Sequence, residues 1–250
     1  MIQSITFGDK NTWDDWKILP TERPVFAPPK PKTTYIDIPG GNGTLDLSES
    51  LTGYPIYENR TGSFKFRVMN DYVEWHDRYT EIMEHLHGRS MNAILADDPD
   101  YFYRGRFTVD SWESGATWSL ITIGYTVEPY KWSVLSSVDP WIWDSFNFNN
   151  GVILEETFSN IKIDSPNDWT AYTFDANMFG CAPISPTFNV SNSNGFMVRF
   201  VNVYLGIDET VYLVDGKNTI PDFVFYGQSS YVLMFKGIGT VSIEFRVGRL

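Results

Sequence analysis

A single cysteine, Cys181, stands in the 250 residues, so no disulfide can form within the chain. Nothing in it calls for an oxidising compartment. Histidine is almost as scarce, with His76, His85 and His87 only. No apolar run approaches the roughly 20 residues that span a bilayer. The start, Met1-Ile2-Gln3-Ser4-Ile5-Thr6-Phe7, lacks the charged segment and apolar core of a secretory signal, so a cytosol is the expected place of synthesis. Positive charge is also short. There are 19 Lys and Arg against 31 Asp and Glu, a net charge of −12. Residues 1–129 carry 12 basic and 19 acidic side chains and residues 130–250 carry 7 and 12, so neither half is basic. Nucleic-acid backbones and anionic membrane surfaces are bound by clustered Lys and Arg. The composition argues against both as direct partners.

Aromatic residues are plentiful at 16%, within a hydrophobic total of 42%. Aromatic side chains suit a pleated, half-buried surface, which favours β-structure, and they are enriched at contact surfaces. The length suits one large all-β domain or two of about 120 residues.

Residues 1–34 read as irregular, with Pro20, Pro24, Pro28, Pro29 and Pro31 crowded together. Proline fixes φ and cannot donate to a ladder, so this is an extended arm, lying either on its own surface or on a neighbouring subunit. Tyr35-Ile36-Asp37-Ile38 and Thr44-Leu45-Asp46-Leu47 read as short strands around the turn cluster Gly40-Gly41-Asn42-Gly43. Residues 63–69 alternate, with Phe64, Phe66 and Val68 on one face. One helix is expected over 71–87. Asp71 and Glu74 resemble a capping box, Tyr79, Ile82, Met83 and Leu86 make one apolar stripe, Glu74 and Arg78 can pair, and Gly88 suits the end. Strands follow at 91–96, 101–110 and 117–127, with Asp97-Asp98-Pro99-Asp100 as a turn. Beyond about 130–140 no helical pattern remains, and the charged fraction falls from 31 of 129 residues to 19 of 121. Strands are expected at 151–158, 170–175, 196–205, 210–214, 222–226, 231–235 and 240–247, with tight turns at Asp215-Gly216 and Gly237-Ile238-Gly239. Short strands at that spacing read as a β-sandwich.

No chemistry survives inspection of the candidate groups. His85 and His87 fall on nearly opposite helix faces, and metal sites need three or four matched ligands. Residues near a helix C-terminus that can turn cationic also suit the macrodipole. Asp97, Asp98 and Asp100 open like a calcium loop, but positions six and twelve are Phe102 and Thr108, where such a loop needs glycine and glutamate. Glu155-Glu156 has no surrounding pattern that makes it a glycosidase pair. Cys181 reads as a small, buried or half-buried thiol. Nucleophile elbows, phosphate loops and dinucleotide fingerprints are absent. No catalytic, cofactor-binding or metal-binding residue is assigned, and no enzyme is expected. Trp132, Trp141 and Trp143 either pack at a domain boundary or form a contact surface.

The run Leu86-His87-Gly88-Arg89, then Met91-Asn92-Ala93-Ile94-Leu95-Ala96-Asp97-Asp98-Pro99 and Tyr101-Phe102-Tyr103-Arg104-Gly105-Arg106, is similar in order to the distal tail protein family of siphophages infecting Gram-positive bacteria. Glu128-Pro129-Tyr130-Lys131 resembles that family's exit from its first domain, and Gly237-Ile238-Gly239-Thr240-Val241-Ser242 resembles its closing hairpin. The resemblance implies a mainly β chain of two domains. Residues 1–134 would be an α+β ring-forming domain that joins the tail tube, and residues 135–250 a galectin-like β-sandwich. It implies a homo-hexameric ring at the distal end of the virion's tail, glued by strand addition between subunits. The ring's partners would be the tail tube protein, the tail-associated tip protein and a receptor-binding protein, with DNA only passing through the lumen. A carbohydrate-binding, receptor-recognition module of the tail is the alternative.

Overall fold

The computed structural model describes residues 3–68, 75–115, 118–139, 158–174, 180–202, 206–226 and 230–250. Contacts divide the chain into two compact units, residues 1–131 with residue 250, and residues 132–249. It is mainly β, with one helix among the described residues.

Unit 1 contains β1 (Ile5–Phe7), β2 (Lys10–Asn11), β3 (Ile18–Pro20), β4 (Tyr35–Asp37), β5 (Thr44–Asp46), β6 (Arg60–Val68), α1 (Trp75–Leu86), β7 (Arg89–Leu95), β8 (Tyr101–Ser114) and β9 (Ser119–Val127). One antiparallel sheet runs β2-β1-β7-β8-β9-β6-β3. Its two faces follow the alternation in the sequence. Phe64, Phe66 and Val68 are buried with Ile121, Ile123, Tyr125 and Val127, while Thr61, Ser63, Lys65, Arg67 and Thr126 face outward. The helix closes the inner face as its stripe requires. Ile82 and Leu86 are fully buried, and Tyr79 and Met83 pack on the same core. Gly88 ends it at φ +73°. The expected cap, Asp71 with Glu74, lies outside the described residues.

The first 34 residues are more ordered than expected. They supply three short strands and the buried Trp16, Ile18 and Phe26. Strands of two or three residues leave no periodicity to read, and side-chain anchors hold them instead. Phe26 stacks on Tyr103 at 4.0 Å and meets Phe64 and Tyr125 edge-on at 5.1 and 4.8 Å.

Unit 2 holds most of β10 (Lys131–Ser133), then β11 (Ile161–Phe174), β12 (Thr187–Asn202), β13 (Ile207–Tyr212), β14 (Gly216–Thr219), β15 (Tyr231–Glu244) and β16 (Gly248–Arg249). The sheet order is β11-β15-β12-β13, with β14 also on β12. Phe174, Phe188, Phe200, Phe223, Phe225, Tyr231 and Phe235 are all fully buried and form most of the core. The segment expected at 170–175 is the end of a strand that begins at Ile161, and that at 196–205 belongs to one that begins at Thr187. Residues 222–226 are not a strand. Phe223 and Phe225 point into the core from a bent segment with one bridge, Phe225 to Ile184. Residues 151–157 lie outside the described residues.

Both glycine-marked turns expected in this half are corrected. Gly237-Ile238-Gly239 lies inside β15, which runs unbroken from Tyr231 to Glu244, so there is no closing hairpin there. Asp215-Gly216 separates β13 from β14, but the two pair end to end along β12 instead of folding back on each other. These sites fall on one seam. The β11–β15 ladder slips between Ser165 and Thr170, and the β12–β15 ladder slips between Ser191 and Met197. Bulges bend strands and increase local twist, so a bulge line crossing the sheet bends it as a whole. Gly237 sits on that line at φ +114°, and a Cβ there would lie 2.5 Å from the Gly195 carbonyl oxygen. The glycine permits a close backbone approach, not a chain reversal.

Gly237→Ala should therefore destabilise unit 2 by about 1–3 kcal/mol through strain and contact. The neighbouring Lys236→Ala should stay within about 0.5 kcal/mol. Urea unfolding followed by tryptophan fluorescence checks this, and equal midpoints for the two variants would contradict the seam.

Candidate functional site

The two stretches that carry the sequence resemblance in unit 1 meet in space. Asp97-Asp98-Pro99 forms the turn from β7 to β8, with Asp98 N–H donating to Leu95 O at 3.1 Å. Lys131 Nζ lies 2.5 Å from Asp98 Oδ2 and 4.4 Å from the centroid of the Tyr101 ring. Arg23, from the proline-rich arm, reaches Asp97 Oδ2 through Nη2 at 2.7 Å and Nε at 2.9 Å. Asp97 and Asp98 are thus engaged by protein cations, and the turn ties the arm and the exit segment to the sheet. Arg60, 5% exposed, completes the tie by donating to Pro129 O at 2.8 Å and Ala27 O at 3.3 Å. Burial pushes the Tyr103 phenol above its ordinary value, although Arg60 lies over the ring. Arg60 carries no signal in the sequence, because strand alternation alone does not say that an inward arginine finds carbonyls.

His85 and His87 serve the fold. His85 Nε2 is 2.9 Å from Phe7 O, and its ring stands edge-on to the buried Trp16 at 5.5 Å. His87 Nδ1 accepts the Val109 N–H at 3.1 Å. His76 is exposed. Cys181 is half-buried, with Sγ 3.8 Å from Gly248 O. Trp132 packs against the core of unit 2. Trp141, Trp143, Glu155 and Glu156 lie outside the described residues. Among the described residues no three His, Cys, Asp or Glu side chains gather closely enough to hold a metal. A shallow hollow of about 230 Å³ opens on the outer sheet face beside Thr61, Arg106, Thr108, Asp110 and Thr126. Tyr125, 6% exposed, is also part of its lining.

Surfaces stand out more than pockets. β4 and β5 form a two-stranded sheet of their own, Tyr35 pairing with Asp46 and Asp37 with Thr44. Tyr35, Ile36, Ile38 and Leu45 on this hairpin are 48–57% exposed, and the nearby Leu51 is 98% exposed. An isolated hairpin is marginal in water, and clustered exposed apolar residues mark contact surfaces. Both strands are legible in the sequence, but nothing in it marks that their apolar side chains stay exposed. In unit 2, Tyr212 is 72% exposed on the face that carries the Arg199–Asp208 pair. That pair is bidentate at 2.7 and 2.6 Å, and the Arg199 guanidinium holds the Asp208 carboxyl below its ordinary 3.8.

Two outcomes follow from this geometry. Lys131→Gln should lower the stability of unit 1 by about 1–2 kcal/mol, from the lost ion pair and ring contact. Chemical denaturation measures it, and no change would reduce the contact to an inert surface pair. A depressed carboxyl stabilises the fold fully above its unfolded value, and that contribution disappears as pH falls through the folded one. NMR titration of Asp208 should show a midpoint below 3.8 that rises in Arg199→Gln; identical midpoints would contradict the pairing.

Comparison with solved structures gives a match over the whole chain. The crystal structure of the Dit protein of phage SPP1, described as a paradigm of the hub adsorption apparatus in phages infecting Gram-positive bacteria, aligns with a TM-score of 0.63 and 13% identity. The alignment covers 100% of both chains. No protein-family profile and no curated protein sequence matches the chain. At that identity the likeness establishes a shared fold, one that extends through both units.

Proposed function

We propose that this chain is a structural hub of a phage tail tip, acting at the distal end of the tail as part of the virion and carrying no catalytic activity. The observation that carries the reading is the fold shared with the SPP1 Dit hub protein over the full length of both chains. The sequence resemblance, made on different grounds, points the same way. Unit 1 is the ring-forming part and unit 2 a galectin-like domain. Six copies close into a homo-hexameric ring that joins the tail tube protein to the tail-associated tip protein and the receptor-binding apparatus, with DNA passing through the lumen. Exposed apolar side chains on β4–β5 support self-association, because a single copy leaves them in water. A net charge of −12 suits a channel wall that DNA must pass without sticking.

Carbohydrate binding by unit 2 is the second reading, favoured by the exposed Tyr212 beside Arg199 and Asp208. An aromatic face with adjacent planar hydrogen-bonding groups can take a sugar ring.

Light scattering on the purified protein tests the first reading. The expected mass is about six times 28.7 kDa, or twelve times if two rings stack. A strict monomer at every concentration would count against a self-assembling hub. Glycan-array screening of the full chain tests the second, and no specific binding is expected. Saturable binding that Tyr212→Ala abolishes would establish it instead.

A further inference from the structure

Unit 1 has two opposite faces of unlike charge. Its helix and the inward side chains of its sheet share one core, so the exposed side of α1 and the outer side of the sheet face opposite ways. On the outer side β6 presents Lys65 and Arg67, and β8 presents Arg104 and Arg106, all four exposed. None of them pairs with a carboxylate among the described residues. Asp110 and Glu113 are the carboxylates that these strands turn to the same side, and Asp110 accepts the Thr108 hydroxyl at 2.7 Å. Trp118, 41% exposed, lies two residues beyond Leu120 on the outward alternation of the β8–β9 hairpin. Thr61, Ser63, Ser90, Asn92 and Thr126 complete the face without charge. A chain of net charge −12 thus gathers four cations that lack a carboxylate, and an exposed tryptophan, on one sheet face.

The helix carries the complement. Asp77, Glu81 and Glu84 recur at i, i+4 and i+7 and make one exposed acidic stripe. Glu81 lies 3.7 Å from Arg78 and 3.9 Å from Lys10, whereas Asp77 and Glu84 pair with no cation among the described residues. Successive carboxylates on such a stripe stand about 5–6 Å apart. Lys65 and Arg67, like Arg104 and Arg106, stand about 7 Å apart along their strands, a spacing that long side chains bring into register with the stripe. We infer that the acidic stripe of α1 in one copy docks on the outer sheet face of unit 1 in a second copy of this chain, with Trp118 and Arg67 as anchors. Tryptophan and arginine are the side chains that most often dominate protein contacts, and a helix laid on a sheet is a common layer arrangement. The two patches lie on opposite faces, so the contact is heterologous and repeats head to tail, which closes into a ring when the rotation allows. Like charges oppose helix-to-helix and sheet-to-sheet pairing and so fix the direction. This inference rests on the ring reading and assigns the two faces that meet in it.

The test uses the full-length protein and native mass spectrometry over a dilution series. Lys65→Glu with Arg67→Glu, and Asp77→Lys with Glu84→Lys, should each shift the assembly midpoint about tenfold to higher concentration while near-ultraviolet circular dichroism stays native. An equimolar mixture of the two variants, and one chain carrying all four changes, should each assemble near the wild-type concentration. Trp118→Ala leaves the charge unchanged and should weaken assembly in the same direction; it decides for the sheet face if a reversed variant fails to fold. Losses that neither the mixture nor the fourfold chain restores overturn the pairing of these two faces. Wild-type assembly that all the variants leave unchanged overturns this interface but leaves the ring reading standing. A wild-type chain that stays monomeric overturns both.

Discussion

Unit 1 depends on where Phe26 goes. Its ring is stacked on Tyr103 and flanked by Phe64 and Tyr125, and Tyr125 Oη accepts the Ala27 N–H at 2.8 Å. Arg60 holds the Ala27 carbonyl from the other side and takes Pro129 with the same guanidinium. An extended, proline-rich segment has no ladder of its own, so one buried aromatic side chain with its neighbouring amide is what fixes it. Three consequences follow. The arm leaves β6 after Thr21 and returns at Lys30–Lys32 to pair with residues 56–58. The residues after it are released as the solvent-exposed β4–β5 hairpin. The segment at 128–131 is held against the same sheet, with Lys131 clamped to Asp98. An apolar contact worth a few kcal/mol thus sets both the course of the arm into the exposed hairpin and the point where unit 1 ends.

Regular elements with a strong period were readable from the chain. The alternation of Phe64, Phe66 and Val68 and the stripe Tyr79, Ile82, Met83, Leu86 each named the face that the structure buries. The order of motifs from His87 to Arg106 also pointed to the fold that the SPP1 Dit comparison supports. In unit 2 two patterns mislead. A glycine alone signals chain reversal, whereas Gly237 and Gly216 mark a bulge line on which strands continue. The alternating Phe223 and Phe225 suggest a strand, but they enter the core from a bent segment with one bridge. A glycine needed for close backbone approach and one needed for a turn look alike in a single sequence. In unit 1 the resemblance implies a short strand into Phe7-Gly8, which β1 matches, but β2 and β3 leave no period to read because two or three residues carry none.

The candidate site shows the same division. Asp97 and Asp98 are legible as a turn, but their partners Arg23 and Lys131 come from distant segments. The exposure of Ile36 and Leu45 could not be inferred either, because apolar strands are ordinarily half-buried and only a fold shows a hairpin standing free. Buried aromatics hold each unit together, and the described surface carries a polar sheet face and an apolar hairpin. Those are the features of a part that assembles, and they fit the hub reading better than any reaction.

Two-dimensional class averages of the purified protein in electron micrographs test that central claim most directly. Closed rings with six-fold symmetry and a central channel are the expected result. Discrete single copies or open, irregular chains across the whole concentration range would contradict it.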